Sequence, residues 1–420
     1  MTEGAGPGGG VNLALLAAAG REATPIMLLP VTVFGIAGAW RALTPGMFGW
    51  DFAGDALLDS IRASGPVAAG VAAWLTIRSE RSGLGRLERL SRRSAAGPLT
   101  RLGAAASAAL AGYALTAGAV AAWFGVHGPV TGSLQAAEVA AGAAALLVHV
   151  TAGFLIALLC CAPCCPARLL RVRPLPGPQV PTDLVQAAGR AVAAIVLPAA
   201  VLAATWALDT CAGARRSDGT AWPGLLVSPD VHHSPFTEWR AGLFVAALTW
   251  FGGVAATAIL ASGWALTRTH RYAIGFTAAS VMAGVGLGHL HAGAAHPMTP
   301  VSASVVCRSW PLVVCVNPAF APALPQLEAA FTEVAAGVSG TPAAVYSVTQ
   351  LPPGASVSSR QGGYGFHLDD LRQGYALRAK SDLTRQVAWA LNRPTRKWAT
   401  STGRARTRRS TTWRPTTGDS

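Results

Sequence analysis

Apolar stretches alternate with short polar loops over the first seven-tenths or so of this chain, and their length is the first structural signal. The stretches 24–43, 102–125, 139–161, 189–208, 241–266 and 272–292 are each long enough, at about 20 residues, to cross about 30 Å of hydrocarbon as a helix. A further stretch, 64–77, is shorter. It either begins earlier, near Ala56, with Asp59 and Arg62 at the interface, or forms a re-entrant segment; we count it as a span. The pattern predicts an all-α polytopic membrane protein of six to seven transmembrane helices. Residues 1–23 form a cytosolic lead-in and 24–292 the transmembrane domain.

Beyond residue 292 the pattern changes. Residues 293–392 read as a small folded C-terminal domain. Within it Leu324, Leu327, Phe331, Val334 and Val338 make a helical stripe over Leu324–Val338, because positions three or four apart share a helix face. Ala343–Val348 reads as a short strand, Leu351–Gly365 as a Pro/Gly/Ser-rich loop, and Ser381–Asn392 as a second helix. Residues 393–420 carry no apolar period and are rich in Arg, Thr and Ser, the composition of a basic disordered tail.

Composition agrees with a membrane class. The chain is 51% hydrophobic and only 12% charged, against about 25% charged in soluble domains. Its net charge of +14 would suit nucleic-acid binding, but the charge sits mainly in loops between apolar stretches and in the tail, where membrane topology accounts for it. We therefore expect lipid, and no nucleic acid, as a partner. Of 33 basic residues 31 are arginines, a bias typical of a high-GC bacterial genome. The N-terminus lacks a basic n-region, so Val11–Thr24 reads as an interfacial helix leading into the first span; the alternative is a retained signal sequence.

Arginine placement predicts sidedness. With the N-terminus inside, loop 78–101 holds Arg78, Arg81, Arg86, Arg89, Arg92, Arg93 and Arg101, and loop 162–190 and turn 267–271 are also basic. Loops 44–63 and 209–240 balance their arginines with acids, and loop 126–138 has none. Up to residue 292 the inner side carries 14 arginines and the outer side 5, the asymmetry expected because positive charge resists translocation of short loops. The expected location is the cell membrane, multi-pass, with a cytoplasmic N-terminus. Seven spans place residues 293–420 outside. Their 14 Lys and Arg resist that, although long domains translocate largely regardless of charge; loss of one span would place them inside.

Candidate chemistry is sparse. No GxxxxGK[ST] occurs, so the chain does not cradle ATP by that device. CCAPCC places Cys160, Cys161, Cys164 and Cys165 at the inner edge of the fourth span; apolar packing, a soft metal and lipidation are the readings open there. His289, His291 and His296 cluster after the last span, a weak zinc or copper signal beside the ordinary reading of interfacial polar residues. Cys307 and Cys315 flank RSWPLVV and, outside the membrane, have the spacing of a hairpin disulfide. His149 lies deep within the fourth span and Glu138 near its outer edge. An intramembrane ionisable group is a functional candidate, and a neutral His bonded to a neighbouring helix is the alternative. No Ser-His-Asp order, paired carboxylate or GxSxG supports an enzyme, and no cofactor is implied.

Three stretches carry a resemblance. ALLAAAGREATPIMLLPVTVFGIAG (Ala14–Gly38) resembles the N-terminal lead-in and first span of actinobacterial type-2 ATP-binding-cassette permease-like membrane proteins. VAAGVAAWLTIRSERSGLGRLERLSRRSAAGPLTRLGAAASAALAG (Val67–Gly112) is similar to their span, basic coupling-type loop and following span. Cys307–Pro342, containing VCVNPAFAPALPQLEAAF, is similar to an extracytoplasmic module that follows the last span in some of them. The resemblance covers about residues 11–345. It implies an export permease subunit without its own ATPase, paired with itself or a related permease. It also implies a separate cytosolic ATPase docking at Arg86, Arg89, Arg92 and Arg93, and an extracytoplasmic C-terminal domain. Two other readings remain: a non-transporting anchored protein whose external domain binds a ligand or partner, and a metal-handling or redox protein using the Cys and His clusters.

Overall fold

The computed structural model describes residues 24–40, 43, 50–81, 96–127, 134–161, 237–267, 269–293, 298–300, 305–352, 362–368, 371 and 373–392, together with helical residues at 196, 199–200, 202–204 and 207. Among them, the membrane part is built from α1 (Thr24–Trp40), α2 (Trp50–Arg81), α3 (Ala96–His127), α4 (Ala136–Cys161), α5 (Ala241–Thr267) and α6 (His270–Gly293). Four of these, α3 to α6, contain stretches long and apolar enough to cross a membrane. The chain is a helical membrane protein.

α2 departs from the sequence reading. The span expected at 64–77 is the second half of one 32-residue helix that begins at Trp50, so most of the expected outer loop 44–63 is helical. Its length is about 48 Å at 1.5 Å per residue, more than the hydrocarbon needs. Ala53, Ala56, Leu57 and Ile61 are buried, so tertiary packing holds a segment that its charged neighbours Asp55, Asp59 and Arg62 hid from a hydropathy reading. Asp59 and Arg62 pair one turn apart at 2.9 Å, and Pro66 sits inside the helix without ending it.

Small residues set the helix directions. A Cβ on Gly54 would meet Glu138, one on Gly65 would meet His149, and one on Gly153 would meet Ala69. The chain offset is the same in all three pairs, so α2 and α4 run parallel in a fixed register. Gly35 lies on Thr116 and Gly112 on Val31, which makes α1 and α3 parallel to each other. Gly253 lies on Ala283, Gly286 on Trp250 and Gly263 on Tyr272, the pattern of an antiparallel α5–α6 hairpin. Leu58, Ala141, Leu243 and Leu290 share one cluster, so α2, α4 and α5 all begin at the same end of the bundle. Arg78, Arg101, Cys160 and Arg271 lie towards the other end.

Two strands close the first end. β1 (Thr237–Trp239) and β2 (Met298–Pro300) pair antiparallel and tie the start of α5 to the end of α6. Beyond them lies an α/β unit. β3 (Val306–Arg308), β4 (Val313–Val316), β5 (Ser347–Gln350) and β6 (Gly363–Phe366) form a sheet in that order, with β3–β4 antiparallel and β4–β5–β6 parallel. A 3-10 turn (Pro318–Ala323) and α7 (Leu324–Gly337) join β4 to β5, and α8 (Tyr375–Asn392) follows β6. Its core holds Val314, Phe320, Leu327, Phe331, Phe366 and Leu383, and Phe52 of α2 packs against it.

The helix expected at Leu324–Val338 is α7, with Val338 as its cap. The strand expected at 343–348 starts later, at Ser347. The reason is a turn: Thr341 Oγ1 donates to Val338 O and accepts from Ala343 N, holding 341–344 out of the sheet. The segment expected as loop to Gly365 ends inside β6, which begins at Gly363. α8 starts at Tyr375, earlier than expected, directly after Gly374 at φ +82°.

A polar lace holds the carboxyl ends of the parallel strands. Buried Gln350 accepts from Asn317 N at 2.9 Å and donates to Leu368 O at 2.8 Å. Asn317 in turn caps the 3-10 turn through Ala319 N at 3.0 Å. Gln350→Met, which keeps the volume, leaves a buried N–H and a buried C=O without these partners. We expect a loss of about 1–3 kcal/mol, read as earlier thermal unfolding of the α/β unit; unfolding at the wild-type temperature would show the lace to be dispensable.

Candidate functional site

The α2–α4 seam is where the bundle concentrates its buried polarity. α4 is the most buried of the four apolar helices, 61% of its apolar window against 22% for α6, so it is central while α6 is peripheral. His149 lies midway along α4 and is fully buried. Its Nδ1 is 2.9 Å from Ala145 O. A carbonyl only accepts, so Nδ1 carries the hydrogen, and in the neutral ring Nε2 is the acceptor. The imidazole sits over Gly65, where a Cβ would lie 2.8–2.9 Å from three ring atoms. Glu138, also buried, is three turns nearer the start of α4 on the same face, and Gly54 makes the matching notch for its carboxylate. Eleven residues are close to three full turns, which is why both side chains meet α2.

Hydroxyls line the surrounding helices and are satisfied within them. Ser64 donates to Ser60 O, Thr76 to Ala72 O and Thr151 to Leu147 O, each at 2.8 Å. Such back-bonding satisfies polar groups where no water reaches. Tyr113 of α3 donates weakly to Val139 O at 3.4 Å and packs on Gly142. At the same end, Trp40 meets Trp123 edge-on at 4.8 Å, and Trp50 lies 6.1 Å from Phe124.

The other sequence candidates are dispersed. Arg86, Arg89, Arg92, Arg93, Cys164, Cys165 and His296 lie outside the described residues. Cys160 is an exposed thiol at the end of α4, with Cys161 next to it closing the helix. His289 is exposed in the last turns of α6, and His291 is on the same helix. Among the described residues no three His, Cys, Asp or Glu side chains come together as a metal-ligand set. Cys307 and Cys315 are joined by a disulfide and face each other directly in the β3–β4 register.

Two polar features of the α/β unit had no sequence signal. Arg308 of β3 reaches Glu328 of α7 at 2.9 Å, pairing a carboxylate that is otherwise buried. Tyr364 donates to Ala343 O at 3.0 Å, and burial raises its phenol above the ordinary value, so it stays a donor. Trp310, at the tip of the β3–β4 hairpin, is 81% exposed. No family model, curated protein or solved structure matches this chain.

Proposed function

We propose that this chain is the membrane-embedded, permease-like subunit of an ATP-binding-cassette export system, working with a separate cytosolic ATPase. The observation that carries the reading is α2. One unbroken helix runs from the basic loop after Arg81 to Phe52, which touches the α/β unit at the other end. It is interlocked with α4 through Gly54, Gly65 and Ala69. A push on the segment after Arg81 would therefore be passed along α2, which carries Pro66 within it, towards the α/β unit. Arg78, in the last turn of α2, lies over the Trp74 ring at 5.3 Å.

The proposal includes a sidedness, supported by the distribution of arginines. α2, α4 and α5 begin at the same end of the bundle, so the reading includes one further crossing between α4 and α5, for which the apolar stretch 189–208 has the length. The proposed total is seven spans. Arginine bias favours the loop end as cytosolic, which puts the α/β unit outside, where a disulfide persists.

A second reading has its own support. A tryptophan displayed on a disulfide-closed hairpin suits a partner-binding module, because a rigid aromatic contributes contact area at little entropy. Affinity purification of gently solubilised protein, with mass spectrometry of what accompanies it, separates the two. We expect a stoichiometric ATPase that is lost when Arg86, Arg89, Arg92 and Arg93 become Ala while membrane insertion is kept. Recovery without an ATPase, under conditions that preserve a known transporter complex, would overturn the permease reading in favour of the second.

A further inference from the structure

We propose that β3 is a redox-released flap: reduction of Cys307–Cys315 by a dithiol frees β3 from the sheet, exposes the β4 edge and leaves the core of the α/β unit folded. β3 contributes nothing to that core. All three of its residues are exposed, and the buried cluster begins only at Leu312. It pairs with β4 over Val306–Val316, Cys307–Cys315 and Arg308–Val314 alone, and so short a strand at a sheet edge is marginal by itself. Two side-chain links hold it in addition: the disulfide, and Arg308 to Glu328 at 2.9 Å. β4 is different, with Val314, Cys315 and Val316 buried and β5 paired on its other side. Loss of β3 thus strips one edge while the β4–β5–β6 sheet, α7 and α8 keep their contacts.

The chemistry is thiol–disulfide exchange. A thiolate of the dithiol attacks one sulfur of the pair, the Cys307–Cys315 bond breaks and a mixed disulfide forms. The second thiol of the reductant then displaces the protein sulfur, so two electrons and two protons end on the cysteines and the reductant leaves as its own disulfide. Cys307 lies on the exposed strand, which gives the reagent access. Release of Arg308 withdraws the cation from buried Glu328, and the freed β4 edge presents backbone groups that can take an extended strand. The inference does not depend on the permease reading.

The test is hydrogen exchange on full-length protein in micelles, before and after dithiothreitol, with the thiols trapped by N-ethylmaleimide. Expected are two new thiols, exchange at least tenfold faster in 305–308, and exchange in 347–350 and 363–366 within twofold of the oxidised protein. Arg308→Gln should add to the acceleration after reduction, since it removes the second link. Unchanged exchange in 305–308 would overturn the proposal by making the disulfide an inert staple. Loss of protection throughout 305–392 would overturn it as well, by making β3 part of the cooperative core. Cys307→Ser reports the open state without reductant, and should it fail to accumulate, the reduced wild-type protein still decides.

Discussion

Gly153→Val is expected to prevent assembly of the bundle. The Cβ it introduces falls on the backbone of Ala69 in α2, against the carbonyl oxygen and 2.8 Å from the carbonyl carbon. A side chain in that place could rotate away, but a backbone can yield only by moving the helix. Overpacking of a well-packed interior costs about 1–3 kcal/mol; a clash with backbone in the most buried pair of helices belongs at or above the upper end. The loss should appear as a missing monodisperse peak in detergent or a sharply lowered thermal midpoint. Gly118→Val on α3, where nothing lies within 4 Å of a Cβ, should leave both near wild type. Gly65→Ala supplies the matching control. Its clash is with the His149 ring, so Gly65→Ala with His149→Ala should recover part of the loss that Gly65→Ala causes alone. A Gly153→Val protein behaving like Gly118→Val would mean that α2 and α4 are not in close contact.

Phe366→Ala is expected to unfold the α/β unit while sparing the bundle. Phe366 and Phe331 are both fully buried and meet edge-on, with centroids 4.9 Å apart. Truncating a buried phenylalanine costs about 3–5 kcal/mol through lost transfer energy and the cavity left behind. Domains are stable by about 5–15 kcal/mol in all, so one such change removes a large share. The readout is limited proteolysis with hydrogen exchange. Peptides from 305–352 and 362–392 should lose protection while those of α4 and α5 keep theirs. If α4 and α5 lose protection too, the unit and the bundle fold as one body, and Phe52 is part of a continuous core rather than a contact between two.

The periodic parts of this protein were legible in its residues. α3 to α6 follow from long apolar runs, and α7 follows from Leu324, Leu327 and Phe331 at helical spacing, because in both cases each residue's burial is set by its own neighbours on one helix. α2 was legible only in its second half. Asp55, Asp59 and Arg62 lower the hydropathy of its first turns, and the packing of Ala53, Leu57 and Ile61 against other helices outweighs them. β3 and β4 were legible only as a hairpin spaced for Cys307–Cys315, and β6 was missed, for a related reason. Each is three or four residues long, and β6 is the sequence GYGF, so a strand exists there only because β5 offers its edge.

The residues of the candidate site were partly visible. His149 and Glu138 stood out as ionisable groups in an apolar stretch, and Cys307 and Cys315 by their spacing. What they face was not visible. Gly54 and Gly65 are two of 47 glycines, and nothing local marks them as the notches that receive a carboxylate and an imidazole. Arg308 and Glu328 likewise bear ordinary charges at unremarkable positions, and only the fold brings one over the other.

Sequence by itself determined that this chain is a helical membrane protein, because desolvating some twenty backbone amides is tolerable only in a helix and only with apolar side chains around it. It also determined where the arginines lie between those helices. Tertiary structure alone decided that α2 and α4 run parallel, that His149 rests on Gly65, and that the α/β unit sits at the end where α2 begins. Those are contacts between residues far apart in the chain, and they depend on how closely two backbones approach, a quantity that no single stretch of residues carries.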